Sequence, residues 1–172
     1  MNIRMDKGKA VINGRRWICI DSVKIDGEPM AKGRPRVTRT HAFTPLRTRM
    51  AQRRIAEAFQ DHLGGEEGWP FELDCPVMIV CRFWHRRPKR LQRKKDTAEE
   101  IPKQTKPDLD NLVKLVKDSI NDAGYWEDDK HNCTFIAEKM YCAKEEEPRT
   151  TIDIYTGGMN VDTTTHEICE RT

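Results

Sequence analysis

The pattern of apolar and polar residues along the chain predicts four strands. They are Trp17–Ile25, Cys75–Trp84, Cys133–Cys142 and Thr151–Tyr155, which are rich in β-branched and aromatic residues. The second strand is apolar on both faces, which is typical of an interior strand of a covered sheet. Together with the two helices described next, these strands predict an α/β (mixed α+β) domain with a small mixed sheet.

The first helix is predicted after Thr44-Pro45, because a capping residue followed by proline is a common helix start. Ala51, Ile55 and Phe59 then recur at helical spacing, and the helix is expected to run to Gly64-Gly65. His62 falls on the same apolar stripe. We interpret it as a packed helix residue rather than a metal ligand.

The second helix is predicted after the run Thr105–Asp108, which resembles a capping box with Asp in place of Glu. Apolar residues at Leu112, Val116 and Ile120 mark its buried side. Gly124 is expected to end the helix in the left-handed conformation.

The organisation of the chain is predicted in three parts. Residues 1–17 form an N-terminal extension, interpreted as a ragged arm or a short added strand. Residues 18–157 form the domain, with a flexible basic arm at 85–106, and residues 158–172 form a disordered tail.

Composition narrows the class of protein. In 172 residues no apolar run exceeds the five residues Val77–Cys81, which excludes a membrane-spanning helix or a secretory signal. We therefore expect a soluble, cytoplasmic protein with no membrane partner. The six cysteines contain no C-x-x-C pair and the five histidines no H-x-x-x-H pair, so zinc is disfavoured and free, mostly buried thiols are expected.

Charge is unevenly distributed along the chain. The formal net charge is only +3, but residues 1–107 hold 24 Lys and Arg against 13 Asp and Glu, whereas residues 108–172 hold 7 against 15. This asymmetry indicates a region that binds a polyanion beside an acidic site. Ordinary variation of solvated surface charge is the alternative.

Basic residues in two segments are candidates for contact with a phosphate backbone, through charge and without reading sequence. A solvated linker or a localisation-type basic run is the alternative for the second segment. The candidates are Lys32, Arg34 and Arg36 in the first segment, and Arg86, Arg87, Lys89, Arg90, Arg93, Lys94, Lys95 and Lys106 in the second.

Clustered carboxylates around the second helix are candidates for a metal site. Asp108 and Asp110 would point about 200° apart in a regular helix but share a face in an extended stretch. The capping signals place the helix boundary here, so we predict that Asp108 precedes the regular turns, with Asp110 and Lys114 as i, i+4 neighbours. The chain returning to Asp129 can bring a third carboxylate beside the same ion. Hard divalent ions take such oxygen ligands, and a solvated acidic surface is the alternative.

These residues carry a resemblance to a known family. The run KPDLDNLVKLVKDSINDAGYWEDD, Lys106–Asp129, resembles the signature of the RusA-type Holliday junction resolvases, which phages and prophages often encode. GEPMAKGRPRV, Gly27–Val37, with FTP at Phe43–Pro45, is similar to the N-terminal block of that family. The resemblance spans about residues 18–156, and the extension, the basic arm and the tail depart from the pattern.

The resemblance implies a set of roles. Asp108, Asp110 and Asp129 correspond to the essential metal-binding carboxylates, and Lys114 to the catalytic lysine. Asp128 and Asn111 correspond to supporting groups. It also implies a RusA-like homodimer that uses Mg²⁺, with Mn²⁺ as a substitute, on four-way DNA junctions in a bacterial or phage-infected cell, in association with the nucleoid.

The function expected from these observations is a Mg²⁺-dependent endonuclease that resolves Holliday junctions by paired symmetric nicks in DNA recombination and repair. One alternative is a nuclease that prefers flaps, forks or other branched DNA. Another is a basic DNA-binding protein without catalysis, in which the acidic cluster is only a solvated face.

Overall fold

The computed structural model describes residues 3–6, 8–34, 36–37, 42–62, 76–125 and 129–160. The elements in these ranges are, in chain order, β1 (Ile3–Asp6), β2 (Lys9–Ile12), β3 (Arg15–Asp26), β4 (Arg36–Val37), β5 (Ala42–Phe43), α1 (Leu46–His62), β6 (Val77–His85), β7 (Ile101–Pro102), α2 (Leu109–Asp122), β8 (Asn132–Tyr141) and β9 (Arg149–Asn160). Short 3₁₀ turns lie at Lys89–Leu91 and Asp129–His131. Neither α helix in these ranges is both long and apolar enough to span a membrane.

Seven of the strands form one mixed sheet in the order β1-β2-β3-β9-β6-β8-β7, and β4 pairs with β5 alone. Within the sheet only β6 and β8 are parallel. Parallel neighbours need a long crossover connection, and this one contains α2. The predicted mixed sheet with two main helices is confirmed. An added N-terminal strand was one of the two expectations for residues 1–17, whereas β7 was not predicted.

The core forms around β6, whose neighbours are β9 and β8. Because side chains alternate along a strand, Ile79, Cys81 and Phe83 pack with both helices, while Met78 and Val80 face the opposite side. Burial on both faces explains why this strand has the continuous apolar run seen in the sequence.

Helix α1 packs through the residues that the periodicity indicated. Ile55 and Phe59 are buried, and the Phe59 ring meets the ring of Tyr125 edge to face, with 5.2 Å between centroids. The helix begins at Leu46, one residue after Pro45. Its predicted end at Gly64-Gly65 and the side chain of His62 lie outside the described residues.

The N-terminal segment is structured as strands rather than as a ragged arm. Strands β1 and β2 extend the sheet from β3, which starts at Arg15. Ala10 and Ile12 are buried with Trp17 against the face of the sheet opposite the helices. Burial of these three side chains accounts for the ordering of a segment whose composition is otherwise polar.

Strand β9 continues past Gly157-Gly158, where the sequence analysis began the tail. Both glycines have positive φ, +128° and +84°. A Cβ on Gly157 would lie 2.7 Å from the carbonyl oxygen of Arg16, and one on Gly158 would lie 3.1 Å from the Trp17 ring. The glycines therefore admit the close approach of β3 rather than ending the strand, and residues 161–172 lie outside the described residues.

Four of the six cysteines lie in the described residues, and all four are free thiols. Cys81 and Cys142 are buried, and burial raises the pKa of each thiol. Cys19 is half-buried and Cys133 is exposed, so the prediction of mostly buried thiols holds for half of this set.

Candidate active site

The start of α2 has the geometry that the sequence predicted. Asp108 is the N-cap residue, with extended backbone (φ −72°, ψ 143°), and the helix begins at Leu109. The capping box was wrong in detail, because the Thr105 hydroxyl does not cap the helix. It bonds the ammonium of Lys103 and the hydroxyl of Tyr141 instead.

Two carboxylates and one ammonium group project from this helix start. The side chains of Asp108, Asp110 and Lys114 are exposed. Within the part of the chain that the structure describes, none of the three charged groups has a hydrogen-bond or ion-pair partner. The Asp108 carboxylate does not cap the helix either, so both carboxylates remain available to a cation.

The end of α2 is fixed by a Schellman motif. The amide of Tyr125 donates to the carbonyl of Ile120, at 3.2 Å, and the amide of Gly124 to that of Asn121, at 3.0 Å. Gly124 has φ +69°, as its left-handed role requires. The C-terminal end of the helix that carries Asp110 and Lys114 is therefore defined by local hydrogen bonding, whereas its start has no side-chain cap.

The helix start lies at one edge of the sheet, which we call the carboxyl edge: β6 ends there at His85 and β8 at Tyr141. The ammonium of Lys139, on β8, donates to the carbonyls of Thr105 and Pro107, at 3.0 and 2.6 Å. Lys103 is bonded to the same segment. The sequence analysis missed both lysines, since no local pattern links them to Asp108.

A buried histidine lies at the carboxyl edge as well. His85 is 2% exposed, and its Nδ1 is 2.7 Å from Oε1 of Glu28, whose other oxygen accepts the amide of Arg86. Burial lowers the pKa of His85, Glu28 opposes this shift, and the charges of Lys103 and Lys139 add to it. These lysines therefore lie close enough to the end of β6 to act on its last residue.

The third predicted ligand is not brought to the helix start by the described residues. Asp128 lies outside them, as does the side chain of Asp129. The backbone of Asp129 opens the 3₁₀ turn before β8, whereas Lys139 holds the segment before Asp108 near the other end of β8. Asn132 and Lys139 are separated by seven residues of strand, about 23 Å. Among the described residues no three acidic, histidine or cysteine side chains are grouped as metal ligands.

The first basic segment reaches the same helix. The amide of Lys32 donates to the carbonyl of Asn111, at 2.9 Å, and the Lys32 ammonium pairs with Asp118. A phosphate would therefore have to displace a carboxylate to bind Lys32. Arg34 is exposed, and the side chain of Arg36 lies outside the described residues.

The second basic segment forms a loop with a short 3₁₀ turn. We call Arg86–Glu100, between β6 and β7, the basic loop. Arg87 is 3% exposed, and its guanidinium donates to the carbonyls of Cys142, Thr97 and Glu99. Its prediction as a phosphate contact was wrong, because a buried arginine that already bonds three carbonyls is not presented to a ligand.

The remaining basic side chains of this segment are exposed, and two of them pair with carboxylates. Arg86 pairs with Glu147, and Arg93 with Asp96 at 3.2 Å. The exposed residues for which the structure gives no such pair are Lys89, Arg90, Lys94, Lys95 and Lys106.

Comparison with known proteins shows the family of this chain. The family model for endodeoxyribonuclease RusA matches residues 26–155, three quarters of the chain. The chain belongs to the RusA endodeoxyribonuclease family. The RusA match includes α2, the basic loop and the strands of the carboxyl edge, and it leaves β1 and β2 outside.

A curated relative covers a similar stretch. An uncharacterised Bacillus subtilis protein, YqaN, is 30% identical over 146 residues, which cover 78% of this RusA-family chain and 96% of the relative. Nearly the whole length of YqaN therefore aligns with this chain, and its name gives no activity.

The residues at the helix start fit the divalent ion that RusA nucleases use. Asp108 and Asp110 would offer hard oxygen ligands, which Mg²⁺ and Mn²⁺ prefer. In a regular helix the side chains of residues i and i+2 point to opposite sides. Because the backbone at Asp108 is extended, its side chain is not held on the side opposite to that of Asp110. Exposed carboxylates without protein partners among the described residues leave the pair open to solvent and to a substrate.

Proposed function

We propose that this chain is a Mg²⁺-dependent, structure-selective DNA endonuclease that resolves Holliday junctions by paired symmetric nicks in DNA recombination and repair. Membership of the RusA family supports nuclease activity. The observation that carries the site is the start of α2, where Asp108 and Asp110 present carboxylates without protein partners among the described residues, and Lys114 lies one turn further on.

The proposed chemistry is hydrolysis of a phosphodiester. Asp108 and Asp110 hold the ion. Asp129 stays the third ligand that the resemblance implies, although its backbone lies before the start of β8 and the helix start lies near the other end of that strand. When bound, Mg²⁺, or Mn²⁺ in its place, supplies an activated water and neutralises charge on the phosphoryl oxygens. Lys114 projects from the same helix as a compact positive charge that stabilises those oxygens or the departing alkoxide.

The proposed grip on DNA comes from the two basic segments of the chain. Lys and Arg contacts to phosphate position a substrate without reading its sequence. They suit an enzyme that selects a branched shape. The residues assigned to this role are Arg34, Arg36, Arg86, Lys89, Arg90, Arg93, Lys94, Lys95 and Lys106, with Lys32 contributing after exchange of its Asp118 partner.

The experiment that tests the function is cleavage of an end-labelled synthetic four-way junction, beside matched duplex and flap substrates, with and without Mg²⁺. Wild type is expected to cut the junction at symmetric positions only with the metal. Asp110→Asn is expected to lose at least about 10²-fold in rate, as for removal of a single transition-state contact. Asp122→Asn is the matched control, since Asp122 is an exposed aspartate at the other end of α2 that accepts a hydrogen bond from Gln52.

Each other outcome leads to a different conclusion. Equal cutting of flaps and four-way junctions would replace the resolvase assignment with a general branched-DNA nuclease. Binding of the junction without cleavage in Mg²⁺ or Mn²⁺ would leave a DNA-binding protein whose carboxylates are not catalytic.

A further inference from the structure

The segment that leads into Asp108 is held by two lysines. The Lys103 ammonium donates to the Thr105 carbonyl at 3.2 Å, to the Thr105 hydroxyl at 2.7 Å and to the Lys106 carbonyl. The Lys139 ammonium donates to the Thr105 carbonyl at 3.0 Å and to the Pro107 carbonyl at 2.6 Å. Three successive carbonyls before Asp108 are thus bonded to two charged donors.

The two lysines are themselves fixed in place. Lys103 is 8% exposed, and its ammonium lies 5.0 Å from the centroid of the Tyr141 ring. The Tyr141 hydroxyl bonds the Thr105 hydroxyl at 2.9 Å, and the Lys103 amide donates to the Lys139 carbonyl at 3.1 Å. The ends of β7 and β8 therefore anchor the segment to the sheet.

The acceptors of these bonds distinguish the lysines from ordinary surface ion pairs. Both ammonium groups bond backbone carbonyls, so they restrict the backbone before Asp108 and leave its carboxylate unoccupied. Groups that orient metal ligands typically change metal affinity or activity 10–100-fold when removed.

We propose that Lys103 and Lys139 are positioning residues of the candidate active site. They hold Thr105–Pro107 so that Asp108 keeps its extended backbone and its carboxylate faces the ion shared with Asp110. The inference rests on the proposed function for its role in catalysis, but its effect on metal binding is measurable without DNA.

The test compares Lys139→Met with Lys144→Met in the full chain. Lys144 is a close match, because its ammonium also bonds two backbone carbonyls, of Arg93 and Asp96 at 2.8 and 2.6 Å, in the basic loop. Mn²⁺ binding is measured by electron paramagnetic resonance without DNA, and kcat and junction Kd are measured separately. Lys139→Met is expected to weaken Mn²⁺ binding and lower kcat about 10–100-fold with junction Kd unchanged, whereas Lys144→Met leaves Mn²⁺ binding unchanged.

Two further variants separate positioning from folding. Lys139→Arg keeps a charged donor and is expected to recover part of the Mn²⁺ affinity. Thr105→Val keeps both lysines but removes the hydroxyl that Lys103 and Tyr141 bond, so it is expected to weaken Mn²⁺ binding by a smaller factor. If Lys139→Met does not fold, these two variants decide the inference.

The outcomes distinguish the inference from the proposed function. Wild-type Mn²⁺ binding that depends on Asp110 and falls in Lys139→Met, without any junction cleavage, would support positioning and overturn the nuclease assignment. Wild-type affinity and kcat in Lys139→Met and Thr105→Val would overturn positioning alone. A wild-type chain that binds no Mn²⁺, with or without junction DNA, would overturn both.

Discussion

Arginines a few residues apart in the basic loop have different roles because their surroundings differ. Arg87 is buried and bonds three carbonyls, whereas Arg90 is exposed. Charge density in the sequence could indicate a basic surface here, but it could not show which guanidinium turns inward. That depends on Cys142, which is 55 residues away along the chain.

We expect Arg87→Met to affect folding stability and Arg90→Met to affect DNA binding. Arg87→Met should lower the free energy of unfolding by about 2–4 kcal/mol, because three carbonyls lose a charged donor. Arg90→Met should leave stability unchanged and reduce the salt dependence of junction binding by about one unit of slope. Urea unfolding and binding titrations over a range of salt measure the two effects. Unchanged stability in Arg87→Met would contradict its structural role.

His85 gives the folded state a pH dependence. Burial lowers the pKa of His85, so below its unfolded value of about 6.5 the unfolded chain binds a proton that the folded chain does not. Stability present above about pH 6.5 is therefore lost as the pH falls toward the folded pKa, by at most about 1.4 kcal/mol per pH unit. Urea unfolding of wild type and His85→Asn from pH 7.5 to 5.5 should show the flatter curve in the variant. Parallel curves would contradict the assignment.

At the scale of elements, the predictions succeeded where local signals decide and failed where distant contacts decide. The extended Asp108 and the left-handed Gly124 follow from capping rules acting within a few residues. The continuation of β9 past Gly157 depends on its contact with Trp17, which is distant along the chain. Lys139 was missed for the same reason, since the sheet brings it to Thr105, 34 residues away along the chain.

The close approach of β3 and β9 predicts the cost of a single methyl group. Gly157→Ala places a Cβ against the Arg16 carbonyl, whereas Gly14→Ala, also at positive φ, meets no atom within 4 Å. Gly14→Ala should cost about 1–2 kcal/mol from backbone conformation alone, and Gly157→Ala at least about 1 kcal/mol more. Thermal and urea unfolding compare them. Equal losses of stability in the two variants would mean that β3 and β9 move apart without a cost in free energy.

At the scale of the whole molecule, the proposed function asks for two active sites. One chain presents one pair of carboxylates at the start of α2, and paired symmetric nicks need two such pairs related by symmetry. The charge asymmetry along the sequence is compatible with this arrangement, since the fold places the exposed basic side chains of the basic loop and the carboxylates at one edge of the sheet.

We therefore expect a homodimer in solution. Size-exclusion chromatography with light scattering should give twice the mass of one chain. Mixing wild type with an excess of Asp110→Asn should convert paired cuts into single nicks, because mixed dimers carry one active pair. Paired cutting by a monomer would contradict the assembly.

The basic loop joins the sheet at two points, and neither point belongs to the helix that carries the carboxylates. It leaves the sheet after His85 and rejoins it at β7, which pairs with β8 only through Ile101–Tyr141 and Pro102–Met140. The pairing of β6 with β8 runs from Val77 to His85 and so lies outside the loop. Grafting a shorter or longer loop between these two points would change which DNA shapes reach the carboxylates while the helix that carries them stays in place. Under the proposed function, the basic loop would set which DNA shapes fit, and the start of α2 would carry out hydrolysis.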